Sequence, residues 1–177
     1  MPFLQLRVLS TGLLVLILWS TSSASLDVAF SAGSTKHLLL RPGQKLVYNR
    51  VYTNVGSALN AGTGVFTCPQ SGLYLFNVFA LTTRRKHLKL ELHQNSRYIM
   101  SLYANANGSY GTGGNSVILR VNKGDTVYVS ARETSSLYGQ PPGATWQGIY
   151  TTFTGYLISP VLRKFPKKIN RNKQITK

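Results

Sequence analysis

The side chains that perform acid–base, metal or nucleophilic chemistry are few in this sequence and widely spaced. Only 4 carboxylates are present, Asp27, Glu91, Asp125 and Glu133, against 20 Lys and Arg. General acid–base work needs two such groups close together, and this spacing pairs none of them. The 3 histidines, His37, His87 and His93, show no metal-ligand spacing. His87 and His93 fall on one face of a strand roughly 20 Å apart, too far for one ion, and read as solvent-facing positions. No Gly-x-Ser-x-Gly elbow marks a nucleophile. Cys68 is the only cysteine, so no disulfide can form within the chain. It reads as a small buried hydrophobe; pairing with another chain is the other reading and needs an exposed thiol. The chain is therefore read as a non-enzyme, with no cofactor and no metal site.

What the sequence does supply is positive charge. A net charge of +16 points to a polyanionic partner or surface, and on charge alone nucleic acid, anionic lipid, sulfated glycan and bacterial envelope all remain open. Two clusters concentrate it. Arg84-Arg85-Lys86-His87-Leu88-Lys89 has the spacing of a heparin-binding consensus, three basic residues, two others and one basic. On a turn entering a strand, Arg84, Arg85, Lys86 and Lys89 can form a patch for sulfates, and arginine adds bidentate pairing with oxyanions. A solvated turn with dispersed charge is the alternative. The second cluster is Arg163, Lys164, Lys167, Lys168, Arg171, Lys173 and Lys177. It lies in 161–177, a segment without acids and with few core-forming groups, expected to be a disordered tail. It either contacts polyanions, with avidity multiplied by oligomerisation, or keeps the protein soluble.

The elements that must position these groups read as strands. Residues 64–79 give two strands joined by a turn at Pro69 and Gly72. The second, from Leu73 to Leu81, is apolar on both faces and should be a central strand. Residues 87–93 alternate, with Leu88, Leu90 and Leu92 inward. Further strands are expected at 28–32, 45–51, 98–104, 116–121, 125–132 and 151–158. Basic residues 82–86 form a turn, 122–124 a hairpin turn, and 54–64 and 140–145 loops. Residues 105–115, rich in Gly and Asn, form a surface loop holding the glycosylation sequon Asn107-Gly108-Ser109. About ten short strands, with no helical period after residue 24, predict an all-β sandwich. Tyr74, Phe76 and Phe153 are read as core, not as a sugar-stacking platform.

Several of these residues carry a resemblance. Asn54, then Phe66 and Gly72-Leu73-Tyr74-Leu75-Phe76, resembles the signature of the complement C1q globular-head domain family, with its F-x5-G-x-Y-x-F core. Thr63-Gly64 and the closing run Tyr150-Thr-Thr-Phe153-Thr-Gly155-Tyr-Leu157 are also similar to that family. The resemblance spans 28–158 and implies a ten-stranded jelly roll shared with tumour necrosis factor ligands, assembled as a homotrimer. Leu59 departs from the pattern, which has an aromatic there. No Gly-X-Y repeat is present, so the sequence looks like a head-only member without a collagen stalk. Some relatives bind calcium, but that ion wants several oxygen ligands with carboxylates among them, and this domain has few.

Residues 1–24 read as a signal peptide, with Arg7 before a short apolar run and Ser22-Ser23-Ala24 as cleavage site; a retained membrane anchor is the other reading. The expected organisation is then signal peptide, head domain over 25–160 and basic tail over 161–177. Secretion weakens the case for nucleic acid as the natural partner. The resemblance implies recognition of microbial surfaces or soluble proteins in innate immunity, and the charge favours anionic glycans or lipopolysaccharide. The alternative is a trimeric extracellular signalling ligand for a cell-surface receptor, like tumour necrosis factor or cerebellin, with specificity in the loops at 105–115 and 135–145.

Overall fold

A computed structural model describes residues 27–140, 143–146 and 148–160. The expected signal peptide and basic tail lie outside the described residues. Twelve strands follow in order: β1 (Ala29–Ser34), β2 (Leu38–Leu40), β3 (Arg50–Val55), β4 (Leu59–Asn60), β5 (Val65–Thr67), β6 (Gly72–Leu81), β7 (His87–Gln94), β8 (Arg97–Asn105), β9 (Thr112–Val121), β10 (Thr126–Ala131), β11 (Ser135–Leu137) and β12 (Thr151–Pro160). They form two five-stranded antiparallel sheets, β3-β1-β12-β6-β9 and β4-β5-β10-β7-β8, with β11 and β2 as a small third pair. This is the expected jelly-roll sandwich.

Alternation along the strands decides what lies between the sheets. Phe30, Tyr74, Phe76, Val78 and Phe153 from the first sheet meet Phe66, Leu88, Leu90, Leu92, Val127 and Val129 from the second, all fully buried. The rings interlock: Phe66 lies 5.4 Å from Phe30, 5.4 Å from Phe76 and 5.5 Å from Tyr74, and Phe30 sits edge-on to Phe153 at 4.8 Å. Tilted and edge-to-face aromatic pairs of this kind add to the burial of their area. Gly155 makes room for them, since a Cβ there would stand 2.5 Å from one Phe30 ring carbon and 2.8 Å from Phe76. Leu59, in place of the family's aromatic, pairs with Phe66 and is buried.

Asn54 owes its place in the motif to hydrogen bonding. Its amide donates to the Leu59 carbonyl at 2.9 Å, and its Oδ1 accepts from the Leu59 N–H at 3.0 Å. One side chain thus closes the loop between β3 and β4 by serving both backbone groups of Leu59, in the way asparagine imitates backbone in tight turns. Cys68 is buried directly after β5, and its thiol faces the Gln70 carbonyl at 3.0 Å. Burial pushes that thiol up, which keeps it protonated and inert.

Several expectations are corrected. Residues 64–79 do give two strands joined at 68–71, but β5 and β6 lie in different sheets, so the turn carries the chain across the sandwich and does not reverse it within one sheet. Gly72 serves close packing, because a Cβ there would lie 2.4 Å from a Leu157 methyl and 2.6 Å from the Ser159 carbonyl oxygen. The turn at 122–124 likewise joins strands of opposite sheets. The strand expected at 45–51 is displaced to β3. Leu46 bonds to Val129 while Tyr48 bonds to Ala61, so the segment switches partner before a ladder forms. Asn54 is therefore in a strand, and β4 interrupts the expected loop. Thr112–Asn115 also belong to a strand, which shortens the 105–115 loop. β6 is central, yet its outward face is open in the single chain: Phe79 is 46% exposed, and Leu73 and Leu75 are half-buried. His93 is largely covered on the second sheet. It stacks on its cross-strand partner Tyr128 of β10 at 5.3 Å and lies 3.3 Å from Glu91 of its own strand.

Candidate functional site

The register of β1 and β12 sets up two distinct ends. Ala29 pairs with Tyr156 and Ser34 with Thr151, so residue 27 and Pro160 lie at one end and residues 35–37 and 148–150 at the other. The β6–β7 turn, the β8–β9 loop, β11 and residues 143–146 and 148–150 gather at this distal end. Thr82 donates its N–H to Gly111, Thr83 bonds to Ser136, and the Tyr138 N–H donates to Leu81 at 2.7 Å.

The basic turn crowns this end. Lys86 N–H bonds back to the Thr83 carbonyl at 3.2 Å, and Arg85 takes φ +57° to close the reversal. Arg84, Arg85 and Lys86 are exposed, and none forms an ion pair with a carboxylate among the described residues. Lys89 lies further along β7, half-buried beside Tyr103 on the outer surface of the second sheet. By contrast Lys45 sits 4.5 Å over the Tyr128 ring, and Arg132 lies 3.7 Å from Glu91. The structure therefore brings Arg84, Arg85 and Lys86 together and leaves Lys89 on the adjoining flank. The tail cations lie outside the described residues; that segment follows Pro160, at the far end of a 10-residue strand. At strand rise that separation is about 30 Å.

Asn107 is exposed in the loop after β8, and Arg84 Nη2 donates to the carbonyl of Gly108 at 3.4 Å. The sequon and the basic turn are thus neighbours. Beside them stands a group of rings that sequence reasoning missed. Tyr138 is its hub, with Tyr110 at 4.8 Å, His37 at 5.0 Å and Tyr150 at 5.3 Å, and Trp146 lies 6.1 Å from Tyr150. These residues come from separate loops with no common periodicity, so only their aromatic type was legible. Desolvation first, then the Tyr110 and Tyr150 phenols, push the Tyr138 hydroxyl up.

The carboxylates of the described residues stand apart from one another. Glu91 and Glu133 face His93 and His87 as separate pairs on the outside of the second sheet. Asp125 accepts from the Asn122 N–H at 2.9 Å, from Asn95 at 2.7 Å and from Gln94 at 3.2 Å, binding the β9–β10 turn to the β7–β8 turn at the proximal end. Among the described residues no group of three or more His, Cys, Asp or Glu is placed to hold a metal ion. A cleft of about 550 Å³ opens by Asp27, Ser31, Thr53 and Tyr156, but it lies at the proximal end, away from the basic turn. Among the described residues no helix is long and apolar enough to cross a membrane.

Two five-stranded sheets in this order, closed over one aromatic core, define a jelly-roll domain of the C1q and tumour necrosis factor class. The model of the C1q domain matches residues 29–158, and the chain belongs to that family. It is similar to Caprin-2 of Danio rerio, 32% identical over 75% of this chain and 14% of that protein. It is also similar to complement C1q tumor necrosis factor-related protein 2 of Mus musculus, 29% identical over 78% of this chain and 46% of the relative. The chain thus spans less than half of the length of these two curated relatives. Among solved structures, the globular domain of zebrafish complement 1qA protein superposes with a TM-score of 0.61 at 21% identity, covering 76% of this chain and 99% of that one. The Eiger tumour necrosis factor of S. frugiperda superposes with a TM-score of 0.63 at 10% identity, covering 81% and 100%. Membership supports a non-catalytic extracellular recognition or ligand role.

Proposed function

We propose that this chain is a secreted, homotrimeric recognition protein whose distal end binds anionic glycans or microbial envelope components such as lipopolysaccharide, as a step in innate immunity. The observation that carries the reading is the Arg84-Arg85-Lys86 turn, exposed at the end away from residue 27 and Pro160, where none of the three forms an ion pair among the described residues. Arginine forks there suit sulfate and phosphate oxygens. The trimer is supported by the open apolar face of the first sheet, where Tyr156, Leu75 and Ile118 stand in one cross-strand row. Trimers are typical of this family, and three copies would multiply the avidity of each basic turn. The tail cations from Arg163 to Lys177 form a second contact, and Asn107 carries an N-linked glycan beside the turn.

The test is heparin chromatography with an in-line mass measurement, comparing the whole protein, a version ended at Pro160, and a version with Arg84, Arg85 and Lys86 changed to Ser. A trimer whose eluting salt drops sharply with the turn neutralised supports the head site; a drop on truncation alone moves the contact to the tail. Retention no stronger than on a plain cation exchanger would instead favour the receptor-ligand reading. Exposed charges are screened over about 8 Å at physiological salt, so binding that does not weaken with salt would remove the electrostatic mechanism.

A further inference from the structure

The rings at the distal end are unusual in their arrangement. An isolated exposed aromatic on a protein surface needs no explanation. Here His37, Tyr110, Tyr138, Trp146 and Tyr150 come from four separate segments and converge. Their contacts are edge-on or tilted, at 63°, 67°, 60° and 80° between planes. An edge-on or tilted contact covers at most one face of one ring of the pair and leaves the remaining faces clear of it. Trp146 is 64% exposed and Tyr110 46% exposed, so the outermost rings of the set keep much of their surface open to solvent.

The support beneath them is built for this. Gly148 is buried between Trp146 and Tyr150, and a Cβ there would stand 2.8 Å from the rim of each ring. Gly139 is pressed onto the backbone of residues 35 and 36, where a Cβ would come within 2.2 Å of the Lys36 carbonyl carbon. Its N–H donates to His37 Nδ1 at 2.9 Å, and the Gln140 N–H donates to the Thr35 carbonyl at 2.9 Å. Side chains with only two χ angles, braced in this way, lose little freedom on meeting a ligand.

We propose that this cluster is a sugar-stacking platform, with Trp146 and Tyr110 as its contact faces, that makes the distal site selective for sulfated or phosphorylated glycans over other polyanions. The inference rests on the anion-binding reading above and adds a second requirement to it. Tyr110 follows the loop whose Gly108 carbonyl accepts from Arg84, so the platform and the cationic turn share one loop. The ligand must then present an apolar ring face beside its negative groups. Sugars do so through their axial C–H surfaces; a flexible inorganic polyanion does not. Aromatic rings with a polar tip suit such half-wet contacts.

Trp146 also supplies the readout, because the only other tryptophan is Trp19, in the segment read as a signal peptide. The experiment uses the whole secreted protein and two probes of matched charge, a size-defined heparin oligosaccharide and linear polyphosphate. Heparin should shift and quench the indole fluorescence, while polyphosphate should leave it unchanged. Trp146→Ala with Tyr110→Ala should weaken heparin binding about tenfold and polyphosphate binding less than twofold, with Tyr110→Phe restoring most of the Tyr110 share. Equal losses for both probes, or none for either, would overturn the platform. If the ring variants bind heparin normally while neutralising Arg84, Arg85 and Lys86 abolishes it, the anion site stands and the platform falls. If the neutralised turn still binds both probes fully, the reading of the turn is what fails.

Discussion

Replacing Asn54 by Ala tests the claim that this motif residue acts through two hydrogen bonds and not through packing. The substitution removes a donor 2.9 Å from the Leu59 carbonyl and an acceptor 3.0 Å from the Leu59 N–H. Leu59 is buried beside Phe66, so water reaches its backbone poorly. A buried backbone group left without a partner costs about 1–3 kcal/mol. Asn54 itself is half-exposed, which allows some rehydration and puts the pair at about 2–4 kcal/mol rather than at the upper sum. For a domain of this size, that corresponds to a fall in Tm on the order of 10 °C. Urea melts followed by tyrosine fluorescence and far-ultraviolet dichroism, at one fixed protein concentration, give the number. Asn115→Ala serves as comparison, since it also loses two bonds, to the Ser101 carbonyl at 3.2 Å and from the Ser116 N–H at 2.9 Å, but both are exposed and their loss should cost under about 0.5 kcal/mol. If the two variants are destabilised alike, the account of Asn54 as a backbone substitute is wrong.

Gly155→Ala drives a methyl group between the Phe30 and Phe76 rings, 2.5–2.8 Å from their carbons, and should cost about 1–3 kcal/mol in a denaturant melt; unchanged stability would mean the rings move freely. Ile118→Glu places a charge in the Tyr156–Leu75–Ile118 row, and light scattering should then report a monomer mass where the unaltered protein gives a trimer. Burial alone would raise the Asp125 carboxyl, but the N–H of Asn122 and the side chains of Asn95 and Gln94 outweigh it and hold its pKa below the usual carboxylate value. Its contribution is complete above the unfolded value near 4 and is lost as pH falls through the folded value. The unaltered protein should therefore lose stability on acidification below about pH 4, and Asp125→Asn should flatten that slope. Protein from a secretory host should lose mass on enzymatic removal of N-glycans, and Asn107→Gln should abolish the difference; equal masses before and after treatment would leave the sequon unused.

What the sequence made legible was set by local pattern. Leu88, Leu90 and Leu92 alternate with polar residues, and a period of two cannot be satisfied by anything but a half-buried strand. The motif Phe66, Gly72, Tyr74 and Phe76 marked the core through the family resemblance and not through alternation, since its strand is apolar on both faces; Phe153 joins the same core from the last strand. Pairing was less accessible. Pro69 with Gly72, and Asn122 with Gly124, signal a change of direction, but such turns have the same composition whether the chain returns to its own sheet or crosses to the opposite one. The segment around Leu46 and Tyr48 alternates like a strand and buries the right residues, yet its partners lie in two different places. At the site, the basic turn was legible because its charges are consecutive. The rings of His37, Tyr110, Tyr138, Trp146 and Tyr150 were not, since their proximity is created by tertiary structure alone.

The pairing of β1 with β12 has a bearing on how the chain is made. The first strand is held between β3 and the last one, and β12 also separates β1 from β6 at the middle of the sheet. During synthesis from the N-terminus, β1 and β6 emerge with unsatisfied edges that only residues 151–160 can close. Contacts this distant in sequence form slowly, and open strand edges invite association with other chains. A nascent chain stalled before Thr151 thus exposes Phe30 and Phe76 together with both edges, a species suited to capture by chaperones. Closure of the first sheet therefore waits for β12, and premature stop codons upstream of it should yield aggregates rather than a smaller folded head.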